Sequence, residues 1–206
     1  MRPAALAWLA ALLLGGTAAA QPPTPDLLAA PQKTETAIVA GGCFWCVQSD
    51  FDKLPGVIAT EVGYTGGRTD NPSYEQVSEG ATGHYEAVRI RFDPARIGFA
   101  QLLDYFWRHI DPTNANGQFC DSGPPYRSAI FPVDETQRLA AEASKEALRT
   151  SGKIDQVHTA IVAAGPFYRA EEYHQEYYKK NPVRYGFYRA LCGRDSRVKA
   201  LWEGKP

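Results

Sequence analysis

The stretch Ala40-Gly41-Gly42-Cys43-Phe44-Trp45-Cys46 carries two thiols spaced three residues apart. Thiols at that spacing suit redox or nucleophilic chemistry, in which the thiolate is the attacking form. The bland alternatives are a structural disulfide and a pair of buried thiols. Other patches hold groups suited to acid–base work: Glu86 within Gly83-His84-Tyr85-Glu86-Ala87-Val88, Tyr74 after Asn71-Pro72-Ser73, and the run from Gly117 through Cys120, Asp121 and Tyr126 to Arg127. That run is rich in Gly and Pro yet carries Cys, Asp, Tyr and Arg, the profile of a functional loop more than of a spacer. His174 is a candidate base or metal ligand. No His or Cys stands at metal-ligand spacing from it, which favours a packed or surface histidine.

The elements that must position these groups follow from pattern. The apolar run 36–39 reads as a buried strand, and Val47, Phe51 and Leu54 recur at helical spacing before Pro55-Gly56 stops the run. Gly41-Gly42 then forms a tight turn and Cys43 sits where a helix begins. Free N–H groups and the helix dipole favour an anion there, so a thiolate populated near neutral pH is expected. Residues 57–64 read as a second strand. The Gly66-Gly67 pair after it has no Gly-Lys-Ser/Thr and is not a phosphate loop. Tyr74 to Ser78 reads as a short helix. In strand 84–92, alternation puts Glu86 on one face with Val88, Ile90 and Phe92, and Tyr85, Ala87, Arg89 and Arg91 on the other. A carboxyl on an apolar face has a raised pKa and can hold a proton near pH 7; a residue at a strand end can instead reach solvent or pair with Arg. A helix over 97–109, a strand over 127–133 and an Asp134-capped helix to about Thr150 follow. In that helix Glu135 and Glu142 face Arg138 and Lys145. A strand over 154–163, a polar helix over 171–180 carrying His174, and a closing helix over 195–202 complete the reading. Residues 184–193 contain Tyr185, Tyr188 and Cys192 without a clear pattern.

Arg2, the apolar run 4–14 and Thr17-Ala18-Ala19-Ala20 before Gln21 predict a signal peptide over residues 1–20. Residues 21–33, with four prolines, read as a flexible leader, and 34–206 as a single domain. The apolar run is short for a membrane span and no other stretch qualifies, so an exported protein, periplasmic or secreted, is expected. A net charge of −1 with scattered basic residues argues against nucleic acid as a partner. Four cysteines in an oxidising compartment suggest two structural disulfides. A domain of this size has little need of them, which gives redox chemistry more weight.

With these pieces in place, the chain resembles the A-type peptide methionine sulfoxide reductases. The resemblance is carried by Gly42-Cys43-Phe44-Trp45, Gly63-Tyr64-Thr65-Gly66-Gly67, Asn71-Pro72-Ser73-Tyr74, Gly83-His84-Tyr85-Glu86-Ala87-Val88, Asp121 with Tyr126-Arg127-Ser128-Ala129-Ile130, and Tyr173-His174-Gln175. It implies an α/β (α+β) two-layer sandwich around a mixed sheet, with the catalytic cysteine at a helix N-terminus. It further implies Cys43 as nucleophile toward the sulfoxide sulfur and Phe44 and Trp45 as walls of the S-methyl pocket. Glu86 is the acid that protonates the sulfoxide oxygen, Tyr74 and Tyr126 are hydroxyls that bind it, and Asp121 helps position substrate and water. The implied substrates are methionine-S-sulfoxide, free or in oxidised proteins, and the reductant a thioredoxin or thioredoxin-like protein, with no metal or prosthetic cofactor and a monomeric chain. Attack leaves a sulfenic acid on Cys43, which a second thiol condenses to a disulfide.

The chain departs from many family members in one respect: Cys46 follows Trp45, and a Gly-rich C-terminal tail with resolving cysteines is absent. Residues i and i+3 on a first helical turn lie within disulfide reach, which makes Cys46 the first candidate resolver. Cys192 is second in line and Cys120 is expected to be a buried spectator. Two other classes remain open: a thioredoxin-like thiol–disulfide oxidoreductase built on Cys43 and Cys46, and a non-catalytic exported domain with two structural disulfides.

Overall fold

Strand β1 (Glu35–Gly41) forms the spine of the fold because its side chains alternate between two apolar layers. Ala37 and Val39 face one cluster, Ile38 and Ala40 the other. The structure, a computed structural model, describes residues 33–154 and 156–203, all within one compact unit, Gln32–Pro206. The expected signal peptide and all but the last residue of the expected leader lie outside the described residues.

A six-stranded sheet has the order β7-β6-β1-β3-β2-β8, where β2 is Val57–Thr65, β3 Tyr85–Phe92, β6 Ser128–Ile130, β7 Ala160–Ile161 and β8 Tyr168–Arg169. Its neighbours are antiparallel except β6 and β7, so the sheet is mixed, as expected. A two-stranded ribbon, β4 (Gly117–Gln118) with β5 (Asp121–Ser122), stands apart from it. Helices α1 (Phe44–Phe51) and α3 (Phe99–Trp107) cover one face. There Phe44, Val47, Phe51, Leu103 and Phe106 pack on Val39, Val88, Ile90 and Phe92. Each such fully buried side chain contributes about 1.5–3 kcal/mol of transfer free energy. The second face is thinner: Tyr85, Ala87, Ala129 and Phe131 are covered by Val162, Ala164 and Phe167.

The strand alternation read for β3 holds: Glu86, Val88, Ile90 and Phe92 are all buried, while Arg89 and Arg91 reach toward solvent. Short helix α2 (Tyr74–Ser78) starts with a capping box between Ser73 and Gln76. Helix α4 (Glu135–Thr150) is capped by Asp134, whose side chain accepts from the Gln137 N–H at 2.8 Å. Arg138 pairs with Glu135 and Glu142 as its exposed face requires. Lys145 does not join them and instead donates to the Thr159 carbonyl at 2.6 Å.

Two expectations need correction. The strand expected over 154–163 is ladder only at Ala160–Ile161; on either side the backbone bonds loops instead, His158 N–H to Pro112 O and Ala164 N–H to Pro132 O. The helix expected over 171–180 is broken into a 3-10 turn, Glu172–His174, and α5 (Tyr177–Lys180). The break is tertiary in origin. The Gln175 side chain donates to Val62 O and accepts from Val62 N–H, satisfying the β2 edge, and Glu176 adopts φ +50° while its N–H donates to Gln48. The unassigned segment forms α6 (Pro182–Leu191), followed after left-handed Gly193 by α7 (Arg194–Trp202).

Arg194 ties this C-terminal part to the sheet. Its guanidinium donates to Gly41 O and His109 O, stacks over the Phe119 ring and lies 3.5 Å from Asp50. Arg189 reaches the other oxygen of Asp50 at 2.8 Å. A buried carboxylate of α1 is thus held between two arginines of α6 and α7, and neither charge is left uncompensated.

Candidate active site

Cys43 is the N-cap residue of α1, as the glycine turn implies. Gly42 has φ +83°, and a Cβ there would lie 2.5 Å from Gln118 Cβ, so only glycine brings the chain this close. Phe44, the first residue of the helix, donates its N–H to Glu86 Oε2 at 3.0 Å. Glu86 thereby caps the helix and shares a cavity with Cys43. Burial raises its pKa to about 8, against the lowering effect of that hydrogen bond, with the negative charge of Asp121 adding to the rise. A neutral carboxyl at pH 7 follows, and of the two readings open for Glu86 the protonated one fits.

A cavity of about 90 Å³ is lined by Cys43, Phe44, Trp45, Tyr74, Glu86, Asp121, Tyr126 and Tyr188. Seven of these eight were singled out in the sequence. A larger groove of about 530 Å³ runs along Thr60, Glu61, Arg89, Arg91 and Arg169, and holds no thiol. The small cavity is therefore the candidate site. Tyr74 is fixed by its N–H donating to Glu171 and by its ring lying 4.4 Å from that of His174. Tyr126 ends a 3-10 turn over Pro124–Tyr126, entered through Gly123 at φ +120°, and its hydroxyl bonds that of Tyr74. Burial pushes both phenols up, to about 12 for Tyr74 and beyond the ordinary phenol range for Tyr126, so both remain donors. Asp121 sits on β5; burial raises its pKa against the hydrogen bond from Tyr188 and the charge of Arg194.

Trp45 is held edge and face: its indole N–H donates to His174 Nδ1 at 3.0 Å and its ring stacks on Tyr177 at 3.8 Å. His174 is thus a packed histidine that orients a wall of the cavity. Burial lowers its pKa, which keeps the accepting nitrogen unprotonated.

The thiols correct two expectations. Burial pushes the Cys43 thiol well above its ordinary range, helped by its contact with Cys46. The helix terminus does not win in the resting site, and the expected resting thiolate on Cys43 is not what this environment favours. Cys120 is not a buried spectator: it is exposed and joined to Cys192 in a disulfide, with Cys43 and Cys46 free. One disulfide and two free, buried thiols also remove the reading of a domain with two structural disulfides. Among the described residues, the group of three metal-type ligands within reach of one another is Cys120, Asp121 and Cys192, and two of its sulfurs bond each other.

Sequence reasoning missed Tyr188. Its hydroxyl donates to Asp121 Oδ2 at 2.6 Å and contacts the Cys43 thiol. It also missed Tyr177. Both come from C-terminal helices whose sequence offers no spacing signal for a site.

A buried thiol beside a protonated carboxyl and two phenol donors, in a cavity large enough for a methyl thioether, defines a thiol-dependent reductase of an oxygen bound to a soft atom. Comparison with known proteins names that class. The family model for peptide methionine sulfoxide reductase matches residues 35–206. A Caulobacter vibrioides protein named peptide methionine sulfoxide reductase MsrA 2 is 50% identical over 181 residues, covering 88% of this chain and 91% of that protein. The MsrA of Ligilactobacillus salivarius is 57% identical over 169 residues, covering 82% and 98%. Among solved structures, Mxr1 of Saccharomyces cerevisiae in reduced form matches with a TM-score of 0.70 and 33% identity, covering 75% of this chain and 89% of that one. The chain belongs to the peptide methionine sulfoxide reductase family, and its activity is the reduction of methionine-S-sulfoxide to methionine.

Proposed function

We propose that Cys43 attacks the sulfoxide sulfur while Glu86 protonates its oxygen, with Tyr74 and Tyr126 binding that oxygen and Phe44 and Trp45 enclosing the S-methyl group. The observation that carries this reading is the protonated Glu86 in one cavity with the Cys43 thiol and the two phenols. A sulfoxide oxygen leaves poorly until protonated, and these groups are acids, not anions, at neutral pH. Asp121 helps position substrate and water. Substrates are free methionine sulfoxide and oxidised proteins, and residues 34–206 work as a single, monomeric catalytic domain.

Attack leaves Cys43 as a sulfenic acid, which Cys46 condenses to a Cys43–Cys46 disulfide with loss of water. Cys46 is buried one helical turn on, its thiol in contact with that of Cys43, which supports it as first resolver. Its pKa is lowered first by that contact, then by Arg194 and Arg189 against its own burial. Cys192 supports a second step. Its sulfur lies 3.9 Å from Asp121 Oδ2, the oxygen that accepts from Tyr188, and Tyr188 touches Cys43. When Cys120 and Cys192 are thiols, two exchange steps transfer their electrons to the Cys43–Cys46 disulfide. The products are two free thiols in the cavity and a disulfide at the surface. A thioredoxin-like dithiol then reduces the exposed Cys120–Cys192 pair.

The test is disulfide mapping by mass spectrometry after one equivalent of substrate. Fully reduced Cys192→Ser enzyme is expected to stop at Cys43–Cys46 and to turn over with dithiothreitol but more than about tenfold slower with thioredoxin. A Cys46→Ser enzyme that closes a Cys43 disulfide at the wild-type rate removes Cys46 as first resolver.

Residues 1–20 direct export, and the mature chain begins at Gln21 in the periplasm or outside the cell. The pattern of Arg2, the apolar run and the Ala-x-Ala site supports this. The donor is then a thioredoxin-like protein outside the cytoplasm. N-terminal sequencing of protein from its host is expected to read from Gln21; an intact Met1 on a cytoplasmic species refutes export.

A further inference from the structure

Burial leaves the Cys43 sulfur with its proton, yet attack on a sulfoxide needs that proton gone. The cavity offers one acceptor route. Tyr188 has a single hydroxyl proton, and it is committed to Asp121 Oδ2 at 2.6 Å. The phenol oxygen shares the cavity with the Cys43 sulfur and contacts it, and with its proton on Asp121 it keeps lone pairs to accept the S–H proton. Cys43, Tyr188 and Asp121 form a chain from nucleophile to carboxylate.

The chain is held at both ends. Cys192 N–H donates to Tyr188 O, one turn along α6, and Cys192 is bonded to Cys120, the neighbour of Asp121 in sequence. The Tyr188 ring meets the Trp45 ring edge-on at 6.0 Å. When the Cys120–Cys192 pair is reduced, the main-chain bond to Tyr188 and its edge-on contact with Trp45 still hold the phenol in place.

We propose that Tyr188 is a catalytic residue that carries the Cys43 proton to Asp121 as the sulfur attacks. This rests on the reading of Cys43 as nucleophile. The thiol proton moves to the Tyr188 oxygen as the Tyr188 proton moves to Asp121. Glu86 gives its proton to the sulfoxide oxygen. The Cys43 sulfur bonds to the substrate sulfur; the protonated oxygen then passes to Cys43, forming its S–O bond as the substrate S–O bond and the sulfur–sulfur bond break, so the substrate sulfur is reduced to a thioether and Cys43 is oxidised to a sulfenic acid. Asp121 ends with one proton more and Glu86 with one fewer, and exchange with solvent restores both. Tyr188 never becomes a phenolate: burial, and then the charges of Cys43 and Asp121, push its pKa far above the ordinary phenol range. Asp121 is a better acceptor than an ordinary aspartate because burial raises it.

The groups facing this chain are Glu86 on β3, Cys46 on α1, Tyr74 on α2, Tyr126 in the active-site loop and Arg194 on α7. Glu86 must stay protonated, so any pH dependence of the relay is read below about pH 8.

The experiment is single-turnover reduction of a methionine-S-sulfoxide peptide by reduced full-length enzyme between pH 5.5 and 8, with Cys43 alkylation by iodoacetamide over the same range (the span follows from the ordinary thiol and imidazole ranges, roughly). The wild type is expected to be nearly flat. Tyr188→Phe keeps the ring and is expected to slow the step about 10- to 100-fold at neutral pH, with a rate that climbs as pH rises because solvent hydroxide replaces the relay. Asp121→Asn leaves Tyr188 in place and is expected to give the same climbing profile. The double variant is expected to be no slower than the worse single one. A wild-type rate and flat profile in Tyr188→Phe overturns the relay, as does multiplication of the two effects in the double variant. If Tyr188→Phe does not fold, a flat wild-type-like profile in Asp121→Asn overturns it alone. Turnover surviving in Cys43→Ser overturns the nucleophile reading instead, so the two failures are distinct.

Discussion

Replacing Cys43 by Ser is expected to abolish reduction of a peptide methionine-S-sulfoxide, a loss of at least about 10⁴-fold, while the far-UV circular dichroism stays that of the wild type. The substitution exchanges one buried atom at the head of α1 for a smaller one. It leaves the two features that fix the turn, Gly42 against Gln118 and the Phe44 N–H on Glu86. A buried serine hydroxyl with no histidine in contact is a weak nucleophile toward sulfur and cannot store the oxygen as a sulfenic acid. Methionine formed at the wild-type single-turnover rate by this variant would sink the assignment. A thioredoxin-like exchange enzyme would also lose activity in this variant; Glu86 separates the two, because that chemistry needs Cys43 and Cys46 but has no use for a buried acid.

Glu86→Gln is the second large effect. Glutamine retains an oxygen that accepts the Phe44 N–H, so the cap of α1 survives, but it has no proton to transfer. The sulfoxide reduction step is expected to slow by about 10² or more. The pH dependence carries the sign. Burial raises the Glu86 pKa from an ordinary carboxylate value to about 8, so the acid form is full below that pH and is lost as pH rises through it. Wild-type single-turnover rates should fall above about pH 8, and the variant should lack that descending limb. A variant with the wild-type rate removes Glu86 from the mechanism; a variant that is slow but keeps the limb assigns the titration to another group.

Glu86 shows why much of the site was legible. A carboxylate in phase with Val88, Ile90 and Phe92 is a local anomaly that period-two alternation exposes without knowledge of the fold. Gly41-Gly42 before Cys43 is equally local: a strand, a turn and a helix start within one short window. Tyr188 is the opposite case. Its partner Asp121 lies 67 residues away, and nothing in the sequence around it departs from an amphipathic helix. The Cys120–Cys192 pairing was not legible because four cysteines allow three pairings, and spacing favoured the adjacent two. The resting state of Cys43 was misread through a balance of magnitudes. Position at a helix terminus was visible in the sequence, whereas the depth of burial that outweighs it depends on α6 folding over the site. The helix expected over 171–180 failed for the same kind of reason: Gln175 is spent on the edge of β2.

The Cys120–Cys192 disulfide spans a sequence separation of 72 residues. Closing a loop of that length removes entropy from the unfolded chain worth about 4 kcal/mol of stability. Linkage runs both ways: a bond that stabilises the fold is itself stabilised by the fold. For a two-electron couple that free energy corresponds to a reduction potential roughly 90 mV more negative than in the unfolded chain. The folded dithiol is then the stronger electron donor, which favours flow inward to the cavity and an oxidised pair at the surface. It also means that heat tolerance and catalytic readiness oppose each other, since the enzyme charged for its next turnover is the one that has given up its longest covalent tether.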